Sequence, residues 1–418
     1  MDRPRAQGRL LLYAMNFAPE FVGVGKYNGE IAHILSAAGI DIQAVSTPPH
    51  YPDWAVARPY RNRYRRERVG GTTIWRCPIL IRRRMGGVWR LLAPVTFALT
   101  SAPVAAWRIL VWRPQVVLCI EPTIAVAPVA LLCARLVGAR TMLHVQDLEV
   151  DAAFAVGHVR GPAWLRRVAL AGERFLLRRF DRVVTISSAM AAQLAGKGVA
   201  SVQLSIIRNW IDLERFQALP RASALRGELG IPDAAYVVLY SGSIGAKQEL
   251  EQLLEAARRL EDEAGIVIVI AGEGPAKAGL VARYGDRPNV RFLPFQPDER
   301  LNAFLNIADL HALIQGRGAA DLVLPSKLGG MLATGRPVLA TADAGTEIAD
   351  FLGDDGIIVP PRDPVALAAA IRAAASGHDP DRPVATSPLA GQLSSAAASA
   401  ALLEVLADLG VRVEGMPR

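Results

Sequence analysis

Short apolar runs alternate with helix-period segments along most of the chain, and the alternation runs twice. Residues 10–15 read as a first strand and residues 16–25 as a loop, followed by a helix on which Tyr27, Ile31, Ile34, Leu35 and Ala38 share one face. Residues 41–47 read as the next strand. The proline-rich run 48–52 after it must be a loop, because proline has no amide to donate and a fixed φ. Strands then fall at 115–120, 140–145, 182–186 and 203–207, with helices over 123–137, 163–180 and 188–197. After a polar linker containing Pro220 and Pro232 the pattern restarts, with strands at 236–241, 266–271, 290–293, 308–314, 337–341 and 356–359. Strand, helix, strand in that order builds a parallel sheet covered on both faces, so the chain is expected to be α/β, with two doubly wound Rossmann-like domains. The expected division is 1–208, 209–390, and a C-terminal Ala/Leu helix in 391–418 that packs back toward the first domain. A chain of 418 residues is too long for one ordinary core, which agrees.

The loops after these strands carry the chemistry. The strand at 308–314 runs into Gly316-Arg317-Gly318, then Asp321 and Pro325-Ser326-Lys327, and opens a short helix that Gly335 stops and Pro337 cannot continue. Ser326 reads as an N-cap. Bare helix amides beside Lys327 and Arg317 make a seat for a phosphate-bearing ligand, against the plainer alternative of a surface turn with solvated basic residues. Residues 236–241 likewise run into Gly242-Ser243-Ile244-Gly245-Ala246-Lys247. This is no Walker A loop, since the glycine spacing differs and Gln248 stands where Ser or Thr would hold magnesium; G-x-G-x-x-G is absent as well. Gly23-Val24-Gly25-Lys26 precedes the first long helix. The chain has five lysines and uses arginine nearly everywhere else, yet three of the five, Lys26, Lys247 and Lys327, sit in these loops. A compact ammonium at a helix start suits phosphate. Gly272-Glu273-Gly274 closes another strand, at the end where doubly wound sheets present ligand contacts. His144 and Gln146 share a face at the end of 140–145, beside Asp147, Glu149 and Asp151. Asp379-Pro380-Asp381 matches D-x-D but lies in a proline-rich loop, and no metal site is read there.

A net charge of +8 and a pI near 9.7 invite an anionic partner without choosing one. Between residues 54 and 113 the only acid is Glu67, while arginines flank a largely apolar stretch from Leu91 to Trp107, interrupted by Pro94 and Pro103. That stretch is slightly short for a span of about 20 residues and reads as a buried or interfacial helix. The three cysteines have no metal-ligand spacing and read as reduced, buried thiols. The basic start has too short an apolar run for a signal peptide, which suggests a cytoplasmic protein.

Residues 13–27, the Thr47-Pro48-Pro49-His50-Tyr51-Pro52 loop, and the stretches 144–151, 240–248 and 318–328 together resemble the bacterial colanic-acid-type exopolysaccharide glycosyltransferases. These belong to retaining glycosyltransferase family 4 and have the GT-B fold. The resemblance covers most of the chain and is weakest after Arg362. It implies a sugar nucleotide bound on the second domain, with Lys247, Arg317, Ser326 and Lys327 on the diphosphate. Gly272, Glu273, Gly274 and Phe295 would border the nucleoside, and Gly23, Gly25 and Lys26 would close over the phosphates. Gly242, Ser243, Gly245, Asp321 and Pro325 complete the expected donor contacts. His144, Gln146 and Asp147, with Lys247 and Arg317, form the expected catalytic set, and the family's first-domain histidine aligns with Gln146 rather than His144. The departing phosphate takes the acceptor proton in this family, so no separate base is needed. The family's paired glutamates fall at Leu322 and Gly330, with Asp321 standing in for the first. No metal or cofactor is expected. The implied acceptor is a polyprenyl-diphosphate-linked saccharide and the suggested donor is GDP-fucose. The arginine-rich segment would face an anionic membrane surface, attaching the enzyme peripherally to the cytoplasmic face of the inner membrane. A nucleic-acid partner is not expected, because aromatic stacking motifs are not interleaved with the arginines. The competing readings are a GT-B-type sugar-nucleotide 2-epimerase and a non-enzymatic basic membrane- or nucleic-acid-binding protein.

Overall fold

The computed structural model describes residues 8–412 apart from 22, 83–87, 148–162, 221–222, 264, 317–322 and 381–383. The chain forms two compact units: Met1–Ile186 with Ala191–Ile207 and Ser399–Arg418, and Ser187–Met190 with Arg208–Ala398.

The first unit is built on an eight-stranded sheet. Its strands are β1 (Gly8–Tyr13), β2 (Ile40–Ser46), β3 (Arg65–Val69), β4 (Thr72–Arg76), β5 (Val116–Glu121), β6 (Arg140–Val145), β7 (Arg182–Thr185) and β8 (Leu204–Ile206), in the order β3-β4-β2-β1-β5-β6-β7-β8. All neighbours are parallel except β3 and β4. The central strand β1 pairs Leu10 with Ile42 on one side and with Val116 on the other, and its apolar run is buried on both faces, as a covered parallel sheet requires.

Two elements differ from the sequence expectation. The arginine-rich stretch before the apolar helix, to which no element was assigned from sequence, contains the β3–β4 hairpin, turned at Gly70 and Gly71 with φ of 56° and 89°. Both angles are open to glycine and match the two-residue turn that suits strand twist. The apolar stretch is one helix, α2 (Val88–Trp112), which runs through Pro94 and Pro103 rather than breaking at them. Each proline removes one backbone bond, and the side chains supply the balance. Ala93, Phe97, Ser101, Ala105 and Ile109, four apart, are fully buried. Phe97 meets the Tyr13 ring edge-on at 5.8 Å, and the Tyr13 hydroxyl lies 2.6 Å from Ser101 Oγ. Packing outweighs the two lost hydrogen bonds.

The second unit has a six-stranded, all-parallel sheet: β9 (Tyr236–Ser241), β10 (Ile266–Ala271), β11 (Val290–Leu293), β12 (Leu310–Leu313), β13 (Val338–Thr341) and β14 (Gly356–Val359), in the order β11-β10-β9-β12-β13-β14. Leu253, Leu254, Leu367 and Ile371 cover one face, while Phe304, Leu305 and Ala333 cover the other. Numbered locally this is 3-2-1-4-5-6, so the winding reverses between β9 and β12. Ligands of such sheets bind beyond the carboxyl ends of the strands at that reversal.

Candidate functional site

Two of the sequence-predicted loops leave the second sheet at the reversal point. After β9 the Gly242 amide donates to Ala271 O at 2.9 Å and the Ile244 amide to Glu273 O at 2.9 Å, so this loop lies against the one that follows β10. A Cβ on Gly272 would stand 1.8 Å from Gly242 O, and one on Gly274 would stand 2.2 Å from Ile244 O. Only glycine admits this backbone-to-backbone approach. The Lys277 amine fastens the same corner, donating to Gly272 O at 2.9 Å and Leu293 O at 3.2 Å and pairing with Glu273 at 2.7 Å. Lys277 was not among the expected site residues; its signal was a lysine one turn beyond the Gly272–Gly274 loop. Gln248 Oε1 accepts the Gly245 amide at 3.1 Å, which gives the residue in the Walker position a structural duty.

The loop after β12 joins this corner through the Gly316 amide, which donates to Lys247 O at 2.9 Å. Lys327 opens the helix Lys327–Ala333, and its amine lies 4.1 Å from the centroid of the Tyr240 ring. A Cβ placed on Gly242 would be 3.7 Å from that amine. The residue's surface is partly open, but the ring and the glycine backbone enclose the nitrogen. Burial pulls its pKa down to about 7. Lys247 and Ser243 are exposed, and Tyr240 donates to Ser243 O at 2.6 Å. Phe295, just beyond β11, has an exposed ring.

Several expectations change. Ser326 stands at the N-cap position but is exposed, with helical backbone angles, and its hydroxyl makes no cap bond. A hydroxyl reaches the amides two or three residues on only from an extended backbone. Pro325 before it is half-buried. Gly330 points at Leu305 and Ile211, 3.1 and 3.6 Å from its would-be Cβ, so this position presents nothing to the loops. Arg317, Asp321 and Leu322 lie outside the described residues, as do Glu149 and Asp151.

In the first unit, Gly23, Gly25 and Lys26 do not form a loop. They are the first turn of α1 (Gly23–Ala37), opened by Gly23 at φ 61°. The Lys26 amine is 3.7 Å from Glu30 and 5.1 Å from the Tyr27 ring centroid, which directs its charge along the helix. Glycine at residue 25 is required by a group the sequence reading missed: a Cβ there would be 2.3 Å from Glu20 Oε2. Glu20 is buried and accepts the amides of His50 and Tyr51 at 2.9 and 3.0 Å and the Asn16 side chain at 2.9 Å. It thereby ties the loop before α1 to the proline-rich loop after β2. His50 is also buried, which lowers its pKa against the opposing pull of Glu20 and the Pro48 carbonyl. Arg76, fully buried, locks the same loops by donating to Thr47 O and to Ala18 O.

His144 ends β6 as expected and is buried, and desolvation lowers its pKa to about 4, so the imidazole is neutral near pH 7. Among the described residues neither of its ring nitrogens has a hydrogen-bond partner, and the buried Gln146 amide nitrogen has none. Asp147 is exposed.

Comparison with known proteins agrees with this architecture. Residues 22–210 match the glycosyl transferase 4-like domain, and residues 235–376 match the glycosyl transferases group 1. WcaI of Escherichia coli K12, a protein named for colanic acid biosynthesis and glycosyl transfer, is 40% identical over 377 residues, covering 88% of this chain and 92% of its own. A D-inositol 3-phosphate glycosyltransferase of Streptomyces avermitilis is 28% identical over 55% of this chain and 51% of its own. Among solved structures, sucrose-phosphate synthase of Thermosynechococcus elongatus covers 96% of this chain and 99% of its own, at a TM-score of 0.66 and 16% identity. Anabaena HepE, solved with UDP and glucose, covers 96% of this chain and 100% of its own, at a TM-score of 0.63 and 14% identity. With two Rossmann-like units in the GT-B arrangement of elements and both halves matched, the chain belongs to the glycosyltransferases that join a glycosyl transferase 4-like domain to a group 1 domain.

Proposed function

We propose that the chain moves a glycosyl group, with retention of configuration, from a nucleotide-sugar donor to a saccharide carried on a polyprenyl diphosphate, as a step in exopolysaccharide assembly. The observation that carries this reading is the junction at the β9–β12 reversal, where the Gly242–Lys247 loop, Gly316 and the Lys327 amine converge on one corner. A diphosphate seated there is met by the Lys247 and Lys327 ammonium groups and the amides of the glycine loop, and the resemblance adds Arg317 to this set. Gly272, Glu273, Gly274 and Phe295 border the nucleoside, Phe295 offering its exposed ring to the base. Asp321, Pro325 and Ser326, with Gly23, Gly25 and Lys26, complete the donor contacts by resemblance.

Charge develops on the diphosphate as the bond from the sugar to its bridging oxygen breaks. Fixed cations and amides that meet this charge take the place of a metal, and losing one such donor raises the barrier by about 3 kcal/mol. The acceptor hydroxyl attacks from the same face and passes its proton to the departing phosphate. A neutral His144 suits a hydrogen bond to the sugar rather than proton transfer, with Gln146 and Asp147 beside it. The name of WcaI supports the exopolysaccharide role, and the family resemblance suggests GDP-fucose as donor; the UDP in HepE keeps uridine nucleotides in the comparison.

A lipid-linked acceptor requires the enzyme at a membrane, and we place it peripherally on the cytoplasmic face of the inner membrane. Leu92–Trp112 is long and apolar enough to cross a bilayer by length and composition. Its buried stripe against the sheet favours an interfacial position instead, with Val95, Leu99, Trp107 and Val111 on the exposed face. Arginines near the surface each add about 1 kcal/mol of attraction to an anionic leaflet. The test is a screen of radiolabelled sugar nucleotides over bacterial membranes that supply lipid-linked saccharides. Label entering the lipid fraction from one donor is the expected result. A free epimerised sugar nucleotide formed without acceptor, or no labelled lipid from any donor, contradicts the reading.

A further inference from the structure

The amino ends of β6 and β7 in the first unit, opposite the ends that carry the substrate loops, enclose a recess that the transfer chemistry leaves unused. It is a cavity of about 560 Å³ whose lining includes Leu131, Leu132, Arg135, Arg140, Arg179 and Asp181. The lining therefore holds three arginines and one carboxylate. That carboxylate is already engaged: Asp181 accepts the Thr141 amide and hydroxyl, each at 2.8 Å, and Arg140 at 2.9 Å. These donors hold its pKa below the usual range despite opposing desolvation.

Arg135 and Arg179 have no carboxylate partner among the described residues. Arg179, in the turn after the helix Ala163–Leu177, donates to the Phe175 carbonyl at 3.0 Å and lies over the Phe175 ring. Arg135 is in the last turn of α3 (Ala127–Val137), where it offsets the helix dipole and still leaves the recess net positive. Exposed apolar side chains sit on the elements that carry the recess: Leu132 lines it, and Leu136 and Phe175 are close in sequence to Arg135 and Arg179. Leu132, Leu136 and Phe175 are all more than half exposed. α3 packs beside α2, whose own outward face carries Val95, Leu99 and Trp107. Large exposed apolar side chains next to cations that have no carboxylate partner mark an interaction surface.

We propose that this recess binds the phosphate of an anionic phospholipid headgroup. Arg135 and Arg179 grip the phosphate, and Leu132, Leu136 and Phe175 lie against the acyl–headgroup boundary. The inference deepens the membrane part of the proposed function and is independent of its donor chemistry. Charge complementarity selects this occupant: a zwitterionic headgroup brings its own cation into a recess that is already net positive, and a soluble phosphate leaves the exposed apolar side chains wet.

The test uses the full chain and sedimentation with vesicles of phosphatidylcholine alone or with about 30% phosphatidylglycerol. Arg135→Gln with Arg179→Gln is expected to weaken binding to the anionic vesicles by roughly tenfold to thirtyfold. Arg259→Gln with Arg291→Gln removes the same charge from the second unit and is expected to change it less than about threefold. Equal losses in the two double variants would mean that net charge alone acts, and would overturn the site. Stabilisation of the wild type by glycerol phosphate, with vesicle binding unchanged in the Arg135/Arg179 variant, would assign the recess to a soluble phosphate and overturn the lipid. Melting temperature and nucleoside-diphosphate affinity, read on the same variants, are expected to match the wild type and so exclude misfolding. Vesicle binding through the recess without any sugar transfer would remove the proposed function and leave this inference standing.

Discussion

A lysine amine set against an aromatic ring and a glycine backbone loses much of its hydration, and an arriving anion favours its charged form. Lys327 is in this position, with a pKa lowered to about 7 by burial. A bound diphosphate favours the charged amine and raises that pKa, so above pH 7 binding must take up a proton. Affinity is then highest at or below pH 7 and falls as pH rises from the free to the bound pKa. Calorimetry at pH 8 in two buffers of different ionisation enthalpy is expected to reveal this uptake, and Lys327→Met is expected to abolish it while weakening binding by about 10- to 100-fold. Wild-type binding with no proton exchanged would remove Lys327 from the diphosphate. The lysine itself was legible because it stands beside a proline and a glycine-rich loop in sequence. Its enclosure was not, since Tyr240 and Gly242 come from a strand end far earlier in the chain. Glu20 was illegible for a related reason: its partners are backbone amides in another loop, and amides carry no signature in a residue pattern.

Among the elements, α2 separates the two duties an apolar helix can have. Phe97 is fully buried against Tyr13, whereas Leu99, half a turn away, is 70% exposed. Phe97→Ala is expected to cost about 3–5 kcal/mol in denaturant unfolding. Leu99→Ala should stay within about 0.5 kcal/mol. Equal losses at the two sites would mean that the exposed face is covered in solution. Strand positions in the second unit followed from composition, because a doubly covered parallel strand is a bare apolar run. The β3–β4 hairpin was missed although Gly70-Gly71 is a strong turn signal, since the arginines around it masked the alternation of a one-sided edge. Those arginines are partly spoken for: Arg66 and Arg108 stack on Trp75, and Arg76 is buried.

At the scale of the molecule, the 3-2-1-4-5-6 winding of the second sheet marks where ligands of such sheets bind, and the glycine loops after β9 and β12 fall at its reversal. The second-unit loops were legible for that reason. The side chains they recruit were legible only where sequence neighbours supplied them. The central claim is that the corner at β9 and β12 grips a diphosphate. Titration calorimetry of guanosine and uridine with their mono- and diphosphates, against wild type and a Lys247→Met/Lys327→Met double variant, tests it directly. The expected result is that one diphosphate binds at least about tenfold tighter than its monophosphate, and that the double variant loses this margin. A diphosphate bound no better than its nucleoside, or bound equally by the variant, would contradict the claim.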